Sequence, residues 1–325
     1  MISGQWKLQQ RARLNLLFAQ NCAQATLLTL QEVFGWWDPI ILKAATNLEG
    51  GVVGSGETCG VVTGGILGIG ALACSETLSD PAAKEDAIYR LSGDYKRWFE
   101  RRFGTSICRE RVQVDFSKAR GLVRYLLPGD KLIKCLSHTG EALWFLTERI
   151  REHRELQGNG SRETPEPIDG VGPPEPHCAF SVLSRIVPEQ LGSFERLGWA
   201  TTGLAGGVAF GGSACGALLG GILGIGLQYG YDVRSMSFQS ITAAFIRGHR
   251  NLLRRSEQEP PKEAFARSLY LTEGFKRRFG SMNCRDIAHR DFSSPEDLRN
   301  FLNESSECRP VIAWSEDTAR DLMKV

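Results

Sequence analysis

The sequence lacks a strong excess of either charge, and it lacks the usual nucleotide and haem motifs. Its 39 Lys and Arg residues face 37 Asp and Glu residues, a formal net charge of +2, whereas dedicated nucleic-acid binders usually carry a clear basic excess. No GxxxxGK[ST] sequence is present, and the GGILGIG stretches lack both the GxGxxG order and a preceding strand, so we expect no nucleotide. No CxxCH sequence is present, which excludes an attached c-type haem.

A secretory signal is also missing. Residues 1–20 contain basic residues but no apolar run followed by a small-residue cleavage site. We therefore expect a cytoplasmic, reducing location, where free thiols and metal thiolates are more common than structural disulfides. Residues 58–74 and 197–231 contain no charged residue and could be interpreted as membrane-spanning helices. The second segment, however, is rich in glycine and poor in large aliphatic residues. A closely packed buried helix is the expectation, and a small-residue membrane-associated module is the alternative.

The chain contains two tandem copies of one sequence. Residues 44–70 and 200–226 are identical at 16 of 27 positions, at a constant offset of 156. Further along, Arg101–Cys108 matches Arg277–Cys284 at an offset of 176, so the second copy carries 20 additional residues before that point. These observations predict a first domain at 1–152, a linker rich in Pro, Gly and Glu at 153–177, and a second domain at 178–325.

The hydrophobic pattern is helical, and alternation typical of strands is nearly absent. We predict a helix over Arg11–Phe34 and a second one starting at Asp38-Pro39, with Asp as the cap. Two amphipathic helices, Lys84–Phe103 and Ala264–Phe279, should stop at the following glycines. Short helices at Leu143–Arg151 and Ser315–Met323 should close the two copies. The predicted fold is all-α, with two tandem, similar helical domains.

Each copy contains a central helix that is rich in glycine, which Thr58 or Ser213 could cap. Glycine costs about 1 kcal/mol in a helix interior relative to alanine, yet it recurs every fourth residue on one face. The missing side chains permit either close helix packing or room for a cofactor beside the adjacent cysteine. The glycines predicted to contact such a cofactor are Gly60, Gly64, Gly216 and Gly220.

Eight of the nine cysteines form two matching quartets, and none belongs to a CxxC pair. Their wide spacing places each thiol on a different element, so that only tertiary folding could gather them. Four thiolates suit an iron–sulfur cluster or a tetrahedral zinc ion, whereas two pairs suit disulfide chemistry. Buried free thiols are the remaining alternative. The candidate ligands are Cys22, Cys59, Cys108 and Cys135 in the first copy and Cys178, Cys215, Cys284 and Cys308 in the second.

Cys59 and Cys215 are the best candidates for reactive thiols. Each lies at a predicted helix N-terminus, where free amides and the helix dipole favour the thiolate and lower the pKa. Cys74 has no counterpart in the second copy, so we expect a bystander. His138 and His177 lie close in sequence to Cys135 and Cys178, and surface positions are the simpler explanation for both.

These motifs resemble the C-GCAxxG-C-C family, which is named for redox-active cysteines. The resemblance rests on NCAQA around Cys22, the glycine-rich GETCGVVTGGILGIG, FGTSIC, and the later Cys135. The second copy contains CGALLG at 215–220, and the first departs from that core at Val61. The resemblance covers about residues 15–135 and 172–310. It implies redox activity. Because a related domain accompanies haem domains in split-Soret cytochromes, it favours an iron–sulfur or electron-transfer role.

Together these features predict a redox-active protein in which each cysteine quartet binds an iron–sulfur cluster or performs thiol–disulfide or electron-transfer chemistry. The alternative is a non-catalytic protein with structural zinc or buried free thiols. An unidentified redox partner is expected, but no nucleic acid. The tandem copies suggest packing about a pseudo-twofold axis, or a homodimer.

Overall fold

The computed structural model describes residues 4–74, 80–116, 118–156, 176–187, 194–254 and 263–324. Within these ranges the chain forms sixteen α-helices and no β-strand, which confirms the predicted all-α fold. The helices of the first copy are α1 (Gly4–Ala19), α2 (Cys22–Phe34), α3 (Pro39–Ala44), α4 (Gly60–Cys74), α5 (Pro81–Phe103), α6 (Cys108–Val112), α7 (Ala119–Leu126) and α8 (Asp130–Leu156).

The second copy repeats most of this order and adds one helix between the central helix and the long amphipathic one. That additional helix, α12, accounts for the longer second copy. The helices are α9 (Cys178–Ile186), α10 (Phe194–Thr202), α11 (Gly216–Tyr229), α12 (Phe238–Arg254), α13 (Ala264–Phe279), α14 (Cys284–Ala288), α15 (Pro295–Glu304) and α16 (Cys308–Met323).

The prediction of one continuous helix over Arg11–Phe34 is wrong. Gln20 adopts a positive φ of 51°, which ends α1, and Asn21 caps α2 by accepting hydrogen bonds from the amides of Ala23 and Gln24. An asparagine side chain at an N-cap competes well with helix continuation because it satisfies otherwise free amides. The break places Cys22 at the first position of a new helix.

Other predicted helices are confirmed, with some changes at their ends. Asp38 caps α3, with Pro39 in the first turn, and Gly104 and Gly280 follow α5 and α13 with positive φ angles of 87° and 76°. The short closing helices predicted at Leu143–Arg151 and Ser315–Met323 are the ends of the much longer α8 and α16. Residues 157–175 of the predicted linker lie outside the described residues.

The central helices α4 and α11 are buried and begin without the predicted caps. The Thr58 hydroxyl accepts a hydrogen bond from the Ala214 amide, and the Ser213 hydroxyl donates to the Gly207 carbonyl. Neither side chain therefore caps its helix, and the prediction of these caps is wrong. The cap positions belong to the cysteines: Cys215 is the N-cap of α11, and the Cys59 carbonyl accepts the first hydrogen bonds of α4, from Val62 and Thr63.

A short left-handed segment precedes each central helix. Residues 50–54 and 206–210 all have positive φ angles between 54° and 78°. The non-glycine residues among them include Val52 and Val208, for which this conformation is strained by about 1–3 kcal/mol each. Later amides of each segment donate to carbonyls that precede it, Val53 to Asn47 in the first copy and Ala209 to Gly203 in the second, so each segment forms a compact left-handed turn.

The two copies pack on each other through equivalent contacts. In the first copy Gly70 of α4 faces α10 so closely that a Cβ there would lie within 3 Å of the Trp199 carbonyl oxygen. In the second, Gly226 of α11 faces α3 in the same way, at the Ala44 carbonyl oxygen. These residues correspond at the offset of 156, so the contact is reciprocal, as expected for packing about a pseudo-twofold axis. In the parts of the chain that the structure describes, no helix is long and apolar enough to span a membrane.

Candidate functional site

Seven of the eight cysteines that form the two matching quartets lie at the beginning of a helix. Cys22, Cys108, Cys178, Cys284 and Cys308 are the first residues of their helices, and Cys59 and Cys215 come directly before theirs. Cys135 differs, since it lies inside α8, one and a half turns from its beginning. The side chain of Cys74 lies outside the described residues. Helix N-termini bring amide donors to these sulfur atoms, which is useful for groups that become anionic.

In the first copy the four thiols gather around Cys59. Burial raises the pKa of Cys22 and of Cys108, and the charge of Cys59 raises each pKa further, ahead of the charges of the other thiols. Such Coulomb effects require the sulfur atoms to be close together in a poorly solvated space. The Sγ atoms of Cys59 and Cys135 both lie 3.4 Å from one nitrogen of Arg111. They are therefore separated by at most twice that distance.

The second quartet gathers in the same way. Burial raises the pKa of Cys284, and the charges of Cys215, Cys178 and Cys308 raise it further, in that order. Burial likewise raises the pKa of Cys308 to about 12, with a further contribution from Cys178. In each copy, therefore, folding brings together the thiols that are widely separated along the chain.

The left-handed segments supply amide donors to the first cysteine of each quartet. A hydrogen bond from the backbone of Gly50 lowers the pKa of Cys22, although burial outweighs it. In the second copy, burial raises the pKa of Cys178, and backbone hydrogen bonds from Gly206 and Gly216 act in the opposite direction. The strained backbone before each central helix thus has a function that the sequence did not reveal: it aims amides at a thiol.

The four glycines predicted to contact a cofactor divide into two pairs. A Cβ on Gly60 or Gly216 would lie within 3 Å of Sγ of Cys22 or Cys178, so these two glycines make room for a thiol. Gly64 and Gly220 instead face the backbone of α2 and α9, at Ala23 and Ala179. The space at Gly64 and Gly220 is therefore filled by a neighbouring helix, whereas Gly60 and Gly216 border the thiol sites.

Arg111 is the main feature of the first site that the sequence analysis missed. Its side chain lies among the thiols and is only 3% exposed. It donates hydrogen bonds to Cys59 and Cys135 and contacts Nδ1 of His138 at 3.0 Å. Burial alone would lower the pKa of Arg111, but the charges of Cys59, Cys135 and Cys108 raise it by more. A guanidinium that is buried in this way favours thiolates next to it.

A cavity of about 70 Å³ adjoins the first quartet. Three of the four thiols line it, together with polar groups from several helices and apolar residues from α6, α12 and the loops. Its polar lining includes Glu49, whose pKa is raised to about 8 by burial, and Tyr125, whose pKa is raised by burial and by a hydrogen bond to the charged Cys135. The residues that line the cavity include Cys22, Cys108, Cys135, Glu49, Arg111, Phe116, Tyr125, Thr139 and Phe245.

The second copy replaces nearly every polar group of this site with an apolar one. At the corresponding offsets, Ile287 stands for Arg111 and Ala205 for Glu49, while Phe301 stands for Tyr125. The edge-to-face pairs Phe116–Tyr125 and Phe292–Phe301, with centroids 5.2 Å apart in both copies, support the last equivalence. After the fourth cysteine, His138 and Thr139 correspond to Val311 and Ile312. The two quartets therefore share thiols but not their surroundings.

The structure corrects the expected acidity of Cys215. The amides of Leu218 and Ala217 lower its pKa, as expected for a helix N-terminus. Burial raises the pKa by more, and the charge of Cys178 adds to this effect, so the net shift is upward. Desolvation of a thiolate in an apolar pocket thus outweighs the helix dipole when no cation is nearby. The prediction of a lowered pKa is wrong for Cys215.

The two quartets differ in how well they fit a metal centre. Four thiols are the donor set of iron–sulfur clusters and of structural zinc. The first quartet does not fit a centre held by all four thiolates, because a guanidinium is hydrogen-bonded to two of its sulfur atoms. The second quartet offers the donor type, with apolar surroundings and backbone hydrogen bonds to Cys178, but its thiols are not arranged as a ready metal-ion site. Across the described ranges, no group of three or more His, Cys, Asp or Glu side chains is arranged as a ready metal-ion site.

The two histidines near cysteines have different roles. His177 is buried, caps α9 by accepting from the Phe180 amide, and has a pKa that burial lowers to about 3. His138 stacks on Phe103, and its pKa is lowered to about 4 by burial and by the charge of Arg111. Both rings are therefore neutral near pH 7, and the expected surface position is wrong for His177.

Comparison with known proteins agrees with the repeat and with the cysteine motifs. The model of the family described as "Putative redox-active protein (C_GCAxxG_C_C)" matches twice, at residues 20–148 and 176–322. No curated protein and no solved structure gives a match. The two matches cover most of the chain and include all eight paired cysteines. The chain therefore belongs to the C_GCAxxG_C_C family and contains two copies of its domain.

Proposed function

We propose that the first copy carries out two-electron thiol–disulfide chemistry, with Cys59 as the reactive thiol and Cys135 as its partner. The observation that carries this proposal is the hydrogen bond from buried Arg111 to each of the two sulfur atoms. A buried cation requires a negative partner, since its desolvation is otherwise uncompensated. The thiolates supply that charge, and a thiolate is the nucleophile in disulfide exchange.

Cys59 is the better nucleophile of the two by position. It precedes α4, and its charge is the leading thiol contribution to the pKa of both Cys22 and Cys108. Oxidation of the pair joins the two sulfur atoms in one S–S bond and passes two electrons to an acceptor. A sulfur that begins as a thiol also releases its proton, whereas one that begins as a thiolate has none to release. A disulfide requires about 2.05 Å between the sulfur atoms, so Arg111 must release them and one cysteine must rotate.

The proposal predicts which disulfide forms first. We expect brief treatment of the reduced protein with limiting hydrogen peroxide, which becomes water, to link Cys59 to Cys135 before any pair in the second copy reacts. Peptide mapping by mass spectrometry after alkylation of the remaining thiols identifies the link. Cys135→Ser should leave Cys59 as a sulfenic acid, trapped by dimedone. The matched control is Cys308→Ser, which should leave the Cys59–Cys135 link intact. Simultaneous oxidation of both quartets, or a first link that omits Cys59, would contradict the proposal.

For the second copy we propose an iron–sulfur cluster held by Cys178, Cys215, Cys284 and Cys308. Burial raises the pKa of each of these thiols, and Ile287 supplies no cation in place of Arg111. A bound cluster would provide the positive charge that four thiolates need in an apolar space, and it would supply one-electron chemistry. Backbone donors at Cys178 and the space left by Gly216 are this chain's own contributions to such a site.

Metal and sulfide analysis tests the second-copy proposal separately from the dithiol. Protein purified without oxygen should contain iron and acid-labile sulfide, with visible absorbance. Cys215→Ser should lose most of both, whereas the matched first-copy variant Cys59→Ser should keep them. Zinc without sulfide would support a structural metal instead, and protein free of iron, zinc and sulfide would contradict the cluster. Neither outcome affects the expected link between Cys59 and Cys135.

A further inference from the structure

The cavity beside the first quartet contains buried polar atoms with no partner. Nε of Arg111 and Oγ1 of Thr139 form no hydrogen bond, although both groups can donate one. The two residues are 3% and 0% exposed, and both line the cavity. An unsatisfied buried donor is costly, so native proteins retain one mainly where something else satisfies it. Both donors therefore point to a ligand with oxygen acceptors.

The cavity is small and is lined by residues from both copies. Its volume of about 70 Å³ is far below the several hundred Å³ typical of pockets for drug-sized ligands. Phe116 forms one wall, and Phe245 of α12 forms another, so the additional helix of the second copy covers the first copy's cavity. Gln20 and Thr242 are hydrogen-bonded at 2.7 Å and hold α12 next to this site. The space admits a ligand of only a few atoms.

The charge of the cavity selects the class of ligand. Arg111 offers a fixed positive charge and one unpartnered donor, Nε–H, because its other two nitrogens contact His138 and two thiols. Burial holds the pKa of Glu49 near 8, so this carboxyl adds little negative charge at neutral pH. The second copy, with Ile287 and Ile312 at the two donor positions, has neither the cation nor the hydroxyl. The anion-binding features therefore occur together in one copy only.

We propose that this cavity binds a small oxyanion, with Nε–H of Arg111 and the hydroxyl of Thr139 as donors. The inference concerns the site of the proposed dithiol and identifies the class of ligand that reaches it. Three thiols, Cys22, Cys108 and Cys135, line the same space, so a bound anion lies next to sulfur atoms. Its charge competes with thiolates for the guanidinium, and binding therefore favours the protonated thiols.

Calorimetric titration of the reduced, full-length protein tests this inference with anions that thiols do not reduce. The probes are nitrate, sulfate and formate, with neutral formamide as the control. We expect at least one anion to bind in a 1:1 ratio and to slow the alkylation of Cys59 and Cys135, while formamide does neither. Tighter binding of nitrate or sulfate than of formate would identify the ligand as an inorganic oxyanion. Tighter binding of formate would identify it as a small carboxylate.

Thr139→Val is the informative variant because it preserves shape and leaves the contacts from Arg111 to the thiols in place. Loss of one charge-assisted hydrogen bond should weaken the binding of the anion about tenfold or more. The matched control is Thr147→Val, which removes another buried hydroxyl without a partner on the same helix, outside the cavity lining. It should leave anion binding unchanged.

Two outcomes would overturn the inference: no anion binds at millimolar concentration, or both valine variants weaken binding equally. Neither outcome depends on the proposed dithiol, because the peroxide experiment forms the Cys59–Cys135 link without an anion. If that link forms and no anion binds, only the anion site is wrong. If an anion binds and no link forms, the anion site stands and the dithiol proposal fails.

Discussion

Replacing Arg111 with methionine is expected to slow the alkylation of Cys59 and Cys135 at pH 7 by about 10- to 1,000-fold. An opposite charge within hydrogen-bonding distance lowers a thiol pKa by about 1–3 units, and each unit changes the thiolate fraction tenfold. Without the guanidinium, neither sulfur atom has its hydrogen-bonded cation, so a smaller fraction of each should be thiolate at pH 7 and alkylation should be slower. Rates measured with iodoacetamide from pH 5 to pH 10, with mass spectrometry to assign each cysteine, give the pH profile of alkylation.

The matched control for this experiment is the equivalent position in the second copy. Ile287→Met changes a buried side chain at the same point in the repeat without changing charge, so it should leave the alkylation profile unaltered. Arg111→Lys keeps the charge but not the paired donors of the guanidinium. Its alkylation rate should therefore lie between that of the wild type and that of Arg111→Met. Because Met has a similar volume and the thiols become neutral by protonation once the cation is gone, Arg111→Met should still fold. An unchanged alkylation rate at pH 7 in Arg111→Met would disprove the role of Arg111.

The repeat and the thiol quartets could be predicted from the sequence because the two copies have identical residues at constant sequence separations. The structure confirms the all-α fold. The thiols of each quartet raise one another's pKa, which requires their sulfur atoms to lie near one another. The orientation of Arg111 could not be predicted in the same way. Arg109 and Arg111 are two residues apart in the short helix α6, yet Arg109 is half exposed and Arg111 is buried. Only the packing of α8 against α6 decides which of the two arginines faces the thiols.

A signal for the first site was nevertheless present in the sequence. At the offset of 176, Arg111 stands opposite Ile287, and at the offset of 156, Glu49 stands opposite Ala205. A comparison of the copies for differences, rather than for identities, would have marked both as candidates. The left-handed segments carried a weaker signal. Glycine at 50, 51 and 54 fits a positive φ, but Val52 and Val53 argue against it, and tertiary contacts override that local preference.

Each copy contributes residues to the surroundings of the other. The second copy contributes Phe245 to the wall of the first copy's cavity. The first copy in turn provides Glu85, which pairs with Arg299 of the second copy at 2.8 Å. Each copy thus completes part of the other's surroundings, and separation would expose the apolar central helices. The reciprocal contact at Gly70 and Gly226 is therefore as important for the sites as it is for stability.

Gly226→Ala and Gly70→Ala are each expected to lower the free energy of unfolding by about 2 kcal/mol. A Cβ at either position would lie within 3 Å of a backbone carbonyl of the other copy, and backbone cannot rotate away as a side chain can. Overpacking of this kind costs up to about 3 kcal/mol, from which about 1 kcal/mol of gained helix propensity is subtracted. Denaturant unfolding followed by circular dichroism measures the change.

Gly93→Ala is the matched control, since Gly93 also lies inside a helix. A Cβ there would approach only the flexible end of Arg97, at 3.0 Å, so the propensity gain should dominate and stability should stay level or rise. In the double variant Gly70→Ala with Gly226→Ala, both substitutions press on one interface. If the first relieves part of the strain of the second, the combined loss will be smaller than the sum of the single losses. Single losses no larger than that of Gly93→Ala would show that the two copies can separate at little cost. The position of Phe245 in the wall of the first cavity would then lose its structural basis.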